Sequence, residues 1–265
     1  MSRGSLTRRR FLTLPLALLL APAARALGEG DARRTSYEAD ASILYGALRY
    51  RVAGSIDEQV DRAAGRYEVR MEGQGTSFSN RAEASGVLRD GRWAPLQSRS
   101  WVKIAGREGR SEVVYDYERR VVQYRSRSET FFLGRVRVID DLLPLPQGVH
   151  VDDTMSALLN HADGFWRPGP GGTLETRVVR RRREPREGVE ETAGVRHAEI
   201  VPVALRLDAD QSGATRTASF DLTHFSSWAL ADRPAQVVFG PDGRPQQVTS
   251  RLMFGTSLTV RFQPA

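Results

Sequence analysis

Arg66-Tyr67-Glu68-Val69-Arg70-Met71-Glu72 decides how this chain must be read. Tyr67, Val69 and Met71 fall on one side of an extended backbone, and Arg66, Glu68, Arg70 and Glu72 fall on the other. That period of two marks a strand with one face buried and one wet. Working outward, Ala47–Ile56 sets Leu48, Tyr50 and Val52 against Arg49 and Arg51. Glu112–Tyr117 and Arg120–Tyr124, joined by the polar corner Glu118-Arg119, predict a hairpin. Further strands are predicted at Phe132–Ile139, Leu174–Val179, Ala198–Leu207, Thr215–Leu222, Gln236–Phe239 and Ser257–Phe262. Asp90-Gly91 and Pro241-Asp242-Gly243 lie between apolar runs, where Asp-Gly favours a tight hairpin. Strands do not alternate with long helices, so the sheet should be antiparallel. The expected fold is mainly β: a single curved antiparallel sheet, or an open barrel, with one short helix at about 152–163.

That helix stands apart because Met155, Leu158, Leu159 and Ala162 repeat at helical spacing, with Asp152 or Asp153 as N-cap and Gly164 as the stop. The preceding Leu142-Leu143-Pro144-Leu145-Pro146 is twice broken by proline and is expected to be a loop lying over a surface. Segment 140–164 carries Asp140, Asp141, Asp152, Asp153 and Asp163 and no Lys or Arg. Leu142, Leu143, Leu145, Met155, Leu158, Leu159, Phe165 and Trp166 are therefore the candidate ligand or partner surface, an apolar patch with an acidic rim. A core helix would carry the same pattern.

The first residues read as an address. Thr7-Arg8-Arg9-Arg10-Phe11-Leu12-Thr13 fits the twin-arginine export pattern, Leu14 to Ala24 is apolar, and Ala24-Arg25-Ala26 offers a small-x-small cleavage site. Residues 1–26 are thus expected to be a signal peptide engaging the twin-arginine machinery, and 27–265 a single periplasmic β-rich domain. The apolar run is about half the ~20 residues a membrane span needs. The 265-residue chain has formal net charge +7, but Arg3, Arg8, Arg9, Arg10 and Arg25 belong to the leader, leaving a mature chain at +2. A nucleic-acid partner is therefore not expected. With no cysteine, disulfides, thiolate metal sites and a Cys nucleophile are excluded.

Arg180, Arg181, Arg182 and Arg183, with Arg177 and Arg186, form the densest basic run and a candidate site for an anionic partner. Glu175, Glu184, Glu187, Glu190 and Glu191 leave 175–191 at only +1, so a projecting hairpin with paired charge reads as well.

Several short words together resemble the exported bacterial family catalogued as domain of unknown function 3108. They are Ser85-Gly86-Val87-Leu88 with Pro95, Ser111 to Tyr117, Val138-Ile139-Asp140-Asp141, Val151-Asp152-Asp153-Thr154-Met155-Ser156-Ala157, and the closing Phe239-Gly240-Pro241-Asp242-Gly243-Arg244-Pro245. The resemblance spans most of 37–262. It implies a periplasmic, antiparallel, curved-sheet protein without an assigned activity, and it carries no catalytic residues.

Catalytic patterns are not evident. There is no Gly-x-Ser-x-Gly elbow, phosphate loop, dinucleotide fingerprint or His-Glu-x-x-His. Gly73-x-Gly75 and Gly106-x-x-Gly109 read as strand turns. His150 with Asp152 and Asp153, and His161 with Asp163, offer metal-type ligands, but a helix would separate His161 from Asp153 by roughly 12 Å. The acid pairs Asp140-Asp141 and Asp152-Asp153 each read as one cap and one solvated acid, and His197 and His224 as residues on strands. No cofactor is expected. Tyr50, Tyr67, Val69, Tyr115, Tyr124 and Phe132 would line a concave face holding a lipid-like ligand or a partner segment, or would simply be core. An envelope adaptor docking through an edge strand or the arginine hairpin is the alternative function. A hydrolase without a recognisable motif is another.

Overall fold

The computed structural model describes residues 30–43, 48–129, 136–182, 196–208, 215–224, 229–253 and 255–264. Eight long strands come first: β1 (Asp31–Ile43), β2 (Leu48–Asp61), β3 (Arg66–Gly75), β4 (Phe78–Arg89), β5 (Arg92–Ile104), β6 (Arg107–Asp116), β7 (Val121–Glu129) and β8 (Val136–Pro144). Helix α1 (Thr154–Ala162) follows, then β9 (Arg167–Pro168), β10 (Thr173–Arg181), β11 (Ala198–Leu207), β12 (Arg216–Phe220), β13 (Ala235–Phe239), β14 (Pro245–Arg251) and β15 (Ser257–Pro264). All fifteen strands belong to one antiparallel sheet, ordered β8-β7-β6-β5-β4-β3-β2-β1-β15-β14-β13-β12-β11-β10-β9. The sequence expectation of a mainly β, single antiparallel sheet with one helix holds.

The sheet is a meander with a single long-range join, β1 to β15, where Tyr37 faces Phe262 and Asp40 faces Thr259. Short turns join β2 through β7 in succession. Asp90 (φ 51°) and Gly91 (φ 74°) connect β4 to β5 as a two-residue loop whose positive angles match the twist of the strands. The hairpin β6–β7 and the strand β3 match their sequence patterns, with Tyr67 and Val69 buried and Arg66, Glu68 and Arg70 exposed.

The inner face of the sheet, on the α1 side, holds the core in three clusters. Tyr37, Val52, Ile56, Val60, Tyr67, Val69, Ala84 and Trp93 pack with Met155 and Leu159 of the helix. Val113, Tyr115, Val122, Tyr124, Ile139, Leu143, Leu145 and Val151 pack with Ala198. Ala157 and Trp166 pack with Leu205, Ala218, Val237 and Phe239. The helix thus sits between the two halves of one curved sheet. Two tyrosine rings pack over glycines of the inner face, Tyr67 across to the next strand and Tyr37 two strands away. Tyr67 pairs with Gly86, where a Cβ would collide with its ring and with the Ala94 carbonyl, and Tyr37 covers Gly73. Glycine here lets an aromatic ring take the place of the missing side chain. Gly73 therefore lies inside β3 and not at a turn.

Two expectations need correcting. Leu142 and Pro144 are not loop but the end of β8, with Leu142 opposite Gln123, Leu143 opposite Val122 and Pro144 opposite Val121. The prolines are tolerated because β8 is an edge strand and Pro144 closes it, so no interior ladder bond is lost. His224 lies in a 3₁₀ turn, Leu222–His224, after β12 and not in a strand. The signal residues Arg8, Arg9, Arg10, Ala24 and Ala26 lie outside the described residues, as do Phe132 and Arg183.

Candidate functional site

The most concentrated polar chemistry surrounds the N-terminus of α1. Asp153 is the N-cap: its Oδ1 accepts from the amides of Met155 (2.8 Å) and Ser156 (2.7 Å), while the Ser156 hydroxyl accepts from the Asp153 amide (3.0 Å). This reciprocal arrangement is a capping box with serine at its third position. Asp152 is entirely buried and acts as a hub. Its Oδ1 accepts from His150 Nε2 (2.8 Å), Ser156 Oγ (3.0 Å) and Asn160 Nδ2 (2.7 Å). Its Oδ2 accepts from Thr176 Oγ1 and lies 3.5 Å from an Arg92 guanidinium nitrogen. The Asp152 amide donates to the Arg177 carbonyl (2.7 Å), and its carbonyl accepts from the Tyr115 hydroxyl (3.4 Å). One residue therefore joins β5, β6, α1 and β10.

The expectation that Asp152-Asp153 would be one cap and one solvated acid is corrected, because both are buried. Burial is affordable for Asp152 only because donors surround it; a bare buried carboxylate would cost several kcal/mol or more. Asp153 is pushed up to about 7, mainly by burial, with the neighbouring Asp152 charge adding to it. Burial also holds the phenols of Tyr67, Tyr115 and Tyr117 above their ordinary range, with Asp152 and Asp153 nearby in each case. Desolvation lowers the Arg92 guanidinium, which Asp152 offsets.

Asn160 completes the attachment. Its side chain accepts from the Trp93 amide (2.8 Å) and donates to the Trp93 carbonyl (2.8 Å). The β5–β6 ladder starts only at Gln97, so the Asn160 amide supplies the partner that no strand offers Trp93 on that side. At the other end of α1, Asp163 accepts from Arg62 through two nitrogens (2.7 and 2.9 Å) and from Trp93 Nε1 (2.7 Å), which hold its carboxyl below the usual range against the cost of burial. His161 bonds through Nδ1 to the Gly243 carbonyl (2.8 Å) and stacks on Phe239 with centroids 4.0 Å apart; burial lowers its pKa. The two histidine–aspartate groups are thus separate, and among the described residues no group of three or more metal-type ligands converges.

The eight residues expected to form an apolar rim divide. Leu143, Leu145, Met155, Leu159 and Trp166 are buried in the three clusters, Leu158 and Phe165 are half-buried, and only Leu142 is well exposed. The segment is placed as core, so most of the rim is not presented to solvent. In the basic run, Arg180 pairs with Glu199 (2.6 Å) and Arg182 reaches the same carboxylate (3.5 Å), while Arg181 ends β10. Asp141 on β8 accepts from the amides of His197 (2.6 Å) and Ala198 (2.7 Å), so a side chain bridges β8 to the start of β11.

Sequence reading missed the outer face, opposite α1. Three open clefts of about 620, 550 and 350 Å³ lie there over β1–β8. Opposite charges form a lattice in the second and third, including Arg70–Glu83 (3.1 Å), Arg99–Glu112 (2.9 Å) and Arg125–Asp140 (3.5 Å), while small and polar residues make up most of the first. The signal was present in the polar half of each alternating strand, which sequence analysis assigned to solvent and left there.

No family model matches the chain, and no curated protein matches it. Among solved structures, the chain is similar to the crystal structure of a β-barrel-like protein of domain of unknown function DUF1849 from Brucella abortus, at 9% identity and a TM-score of 0.43, with 87% of this chain and 95% of that chain covered.

Proposed function

We propose that this chain is an exported, non-enzymatic binding protein of the cell envelope, which meets its ligand or partner on the outer face of the sheet. One contrast carries the reading: the inner face is filled by the protein's own helix and core, whereas the outer face of the same strands is open and cleft. The aromatic residues that would have lined a lipid pocket favour core instead, since Tyr67, Tyr115 and Tyr124 are buried among apolar neighbours. The buried acids favour a structural role, because the partners of Asp152 and Asp153 lie within the fold itself. Export rests on Arg8-Arg9 and the Ala24-Arg25-Ala26 site.

A photo-reactive residue placed at Gln74, Gln97 or Arg125, which line the three clefts, tests the docking face in living cells. Adducts from these positions are expected, and their absence together with lipid released from the denatured protein would overturn the outer-face reading. Replacing Arg8 and Arg9 by lysine should leave unprocessed precursor in the cytoplasm; normal processing of that variant would remove the twin-arginine assignment.

A further inference from the structure

We infer that the outer corner built by β5–β8 docks on an anionic phospholipid surface. Cross-strand register puts two rows of side chains on this face. One runs Arg99, Glu112, Arg125, Asp140, and its charges alternate and pair: Arg125 lies 3.7 Å from Glu112 and 3.5 Å from Asp140. The next runs Trp101, Arg110, Arg127, Val138, and there two arginines are direct cross-strand partners. Like charges facing across strands repel. Arg110 has Glu108 on its own strand (3.0 Å), but Arg127 makes no ion pair with a described residue. The cleft of about 350 Å³ over this place is lined by four arginines (Arg99, Arg110, Arg125, Arg127) against two acids (Glu112, Asp140). A phosphodiester between Arg110 and Arg127 would turn the repulsion into two charge-assisted contacts.

Phosphate alone does not account for the apolar residues beside it. Val136, Val138 and Leu142 are 55%, 60% and 58% exposed, and they lie at alternate positions along the outer face of β8, the last strand of the sheet. Trp101, half-buried at the other end of the arginine row, has Arg81 over its ring at 5.4 Å. Basic groups, an amphipathic aromatic ring and exposed aliphatic side chains at one rim fit a headgroup layer, which takes the charge and the apolar contacts together. Free phosphate would engage only the arginines. A partner strand adding to β8 would use its backbone edge and leave the arginine pair unanswered.

The purified protein, sedimented with vesicles of phosphatidylcholine alone or mixed with phosphatidylglycerol, tests this. Binding is expected to the mixed vesicles only and to weaken as salt is raised. Arg110→Ser and Arg127→Ser should each weaken it about fivefold. Val138→Asp should weaken it as well, whereas Arg233→Ser, between β12 and β13 and paired with Asp232, should leave it unchanged. Inorganic phosphate at matched ionic strength should not displace the protein. Equal binding to both vesicle types, no binding at all, or full displacement by phosphate would overturn the inference. So would a dimer that Val138→Asp dissolves while vesicle binding is unaffected. The inference rests on the outer face being the working face, yet the two fail separately: outer-face adducts to a protein with no vesicle binding would remove this inference and leave that reading standing.

Discussion

On the inner side of β5 and β6, Asp152 gathers donors from His150, Ser156, Asn160, Thr176 and Arg92 where water does not reach. On the outer side of the same strands, Arg99, Glu112 and Arg125 hold one another in the open, with the two arginines each about half exposed. The chemistry of the groups is nearly the same; the dielectric around them is not. Inside, a missing partner leaves a charge or a donor that nothing replaces, whereas outside, water and salt stand in at once. The charge inside serves the fold, and the charge outside is available to something else.

Breaking the inner hub should produce the largest effect. Asp152→Ala leaves Arg92, His150, Asn160 and Thr176 without their shared acceptor and should cost about 3–5 kcal/mol in urea unfolding. A loss below 1 kcal/mol would mean that the hub is wetter than its burial implies. The next effect is pH-linked. Asp153 holds its proton to about pH 7 in the folded state, against roughly 3.9 when unfolded, so the folded state binds more protons between those values. Stability should therefore be highest below about pH 4, fall as pH rises through 7, and then level off as far as this group is concerned. Asp153→Asn should flatten that slope; an unchanged slope would assign it to another group.

Gly86→Ala drives a methyl into the Ala94 carbonyl and the Tyr67 ring and should cost about 1–3 kcal/mol through overpacking. Tyr67→Ala combined with it should cost less than the two changes summed, which a double-mutant cycle would read as coupling. The smallest effect belongs to the outer lattice: Arg70→Ser, at a 3.1 Å pair with Glu83, should shift stability by no more than about 0.5 kcal/mol. A loss near that of Asp152→Ala would erase the contrast between the faces.

Where burial alternates, the sequence announced the fold. Tyr67 and Val69, the hairpin β6–β7 and the cap of α1 follow from local pattern alone. Strand β5 did not, because Arg92, Trp93, Ala94 and Pro95 are all buried in succession, with α1 covering a side that a ladder strand leaves open. Period two disappears when both sides of a strand are occupied. The hub was legible in a form that went unread: Asp152, just ahead of the cap, and Ser156 and Asn160 in the helix recur every four residues, and a polar stripe that is buried implies an internal network. Arg110 facing Arg127 could not be read beforehand, since cross-strand neighbours depend on register and register depends on turns elsewhere.

The join between β1 and β15 also has a kinetic consequence. Along the order from β8 through β1 to β15 and on to β9, every other neighbouring pair consists of consecutive strands, so each half of the sheet can assemble from pairs adjacent in sequence. The middle cannot, because Asp40 must find Thr259. Such a non-local pairing closes late and sets the pace of folding. Until β15 is synthesised, the partly made chain carries a bare strand edge at what will become its centre, and that is the interval in which association with another chain competes with completion.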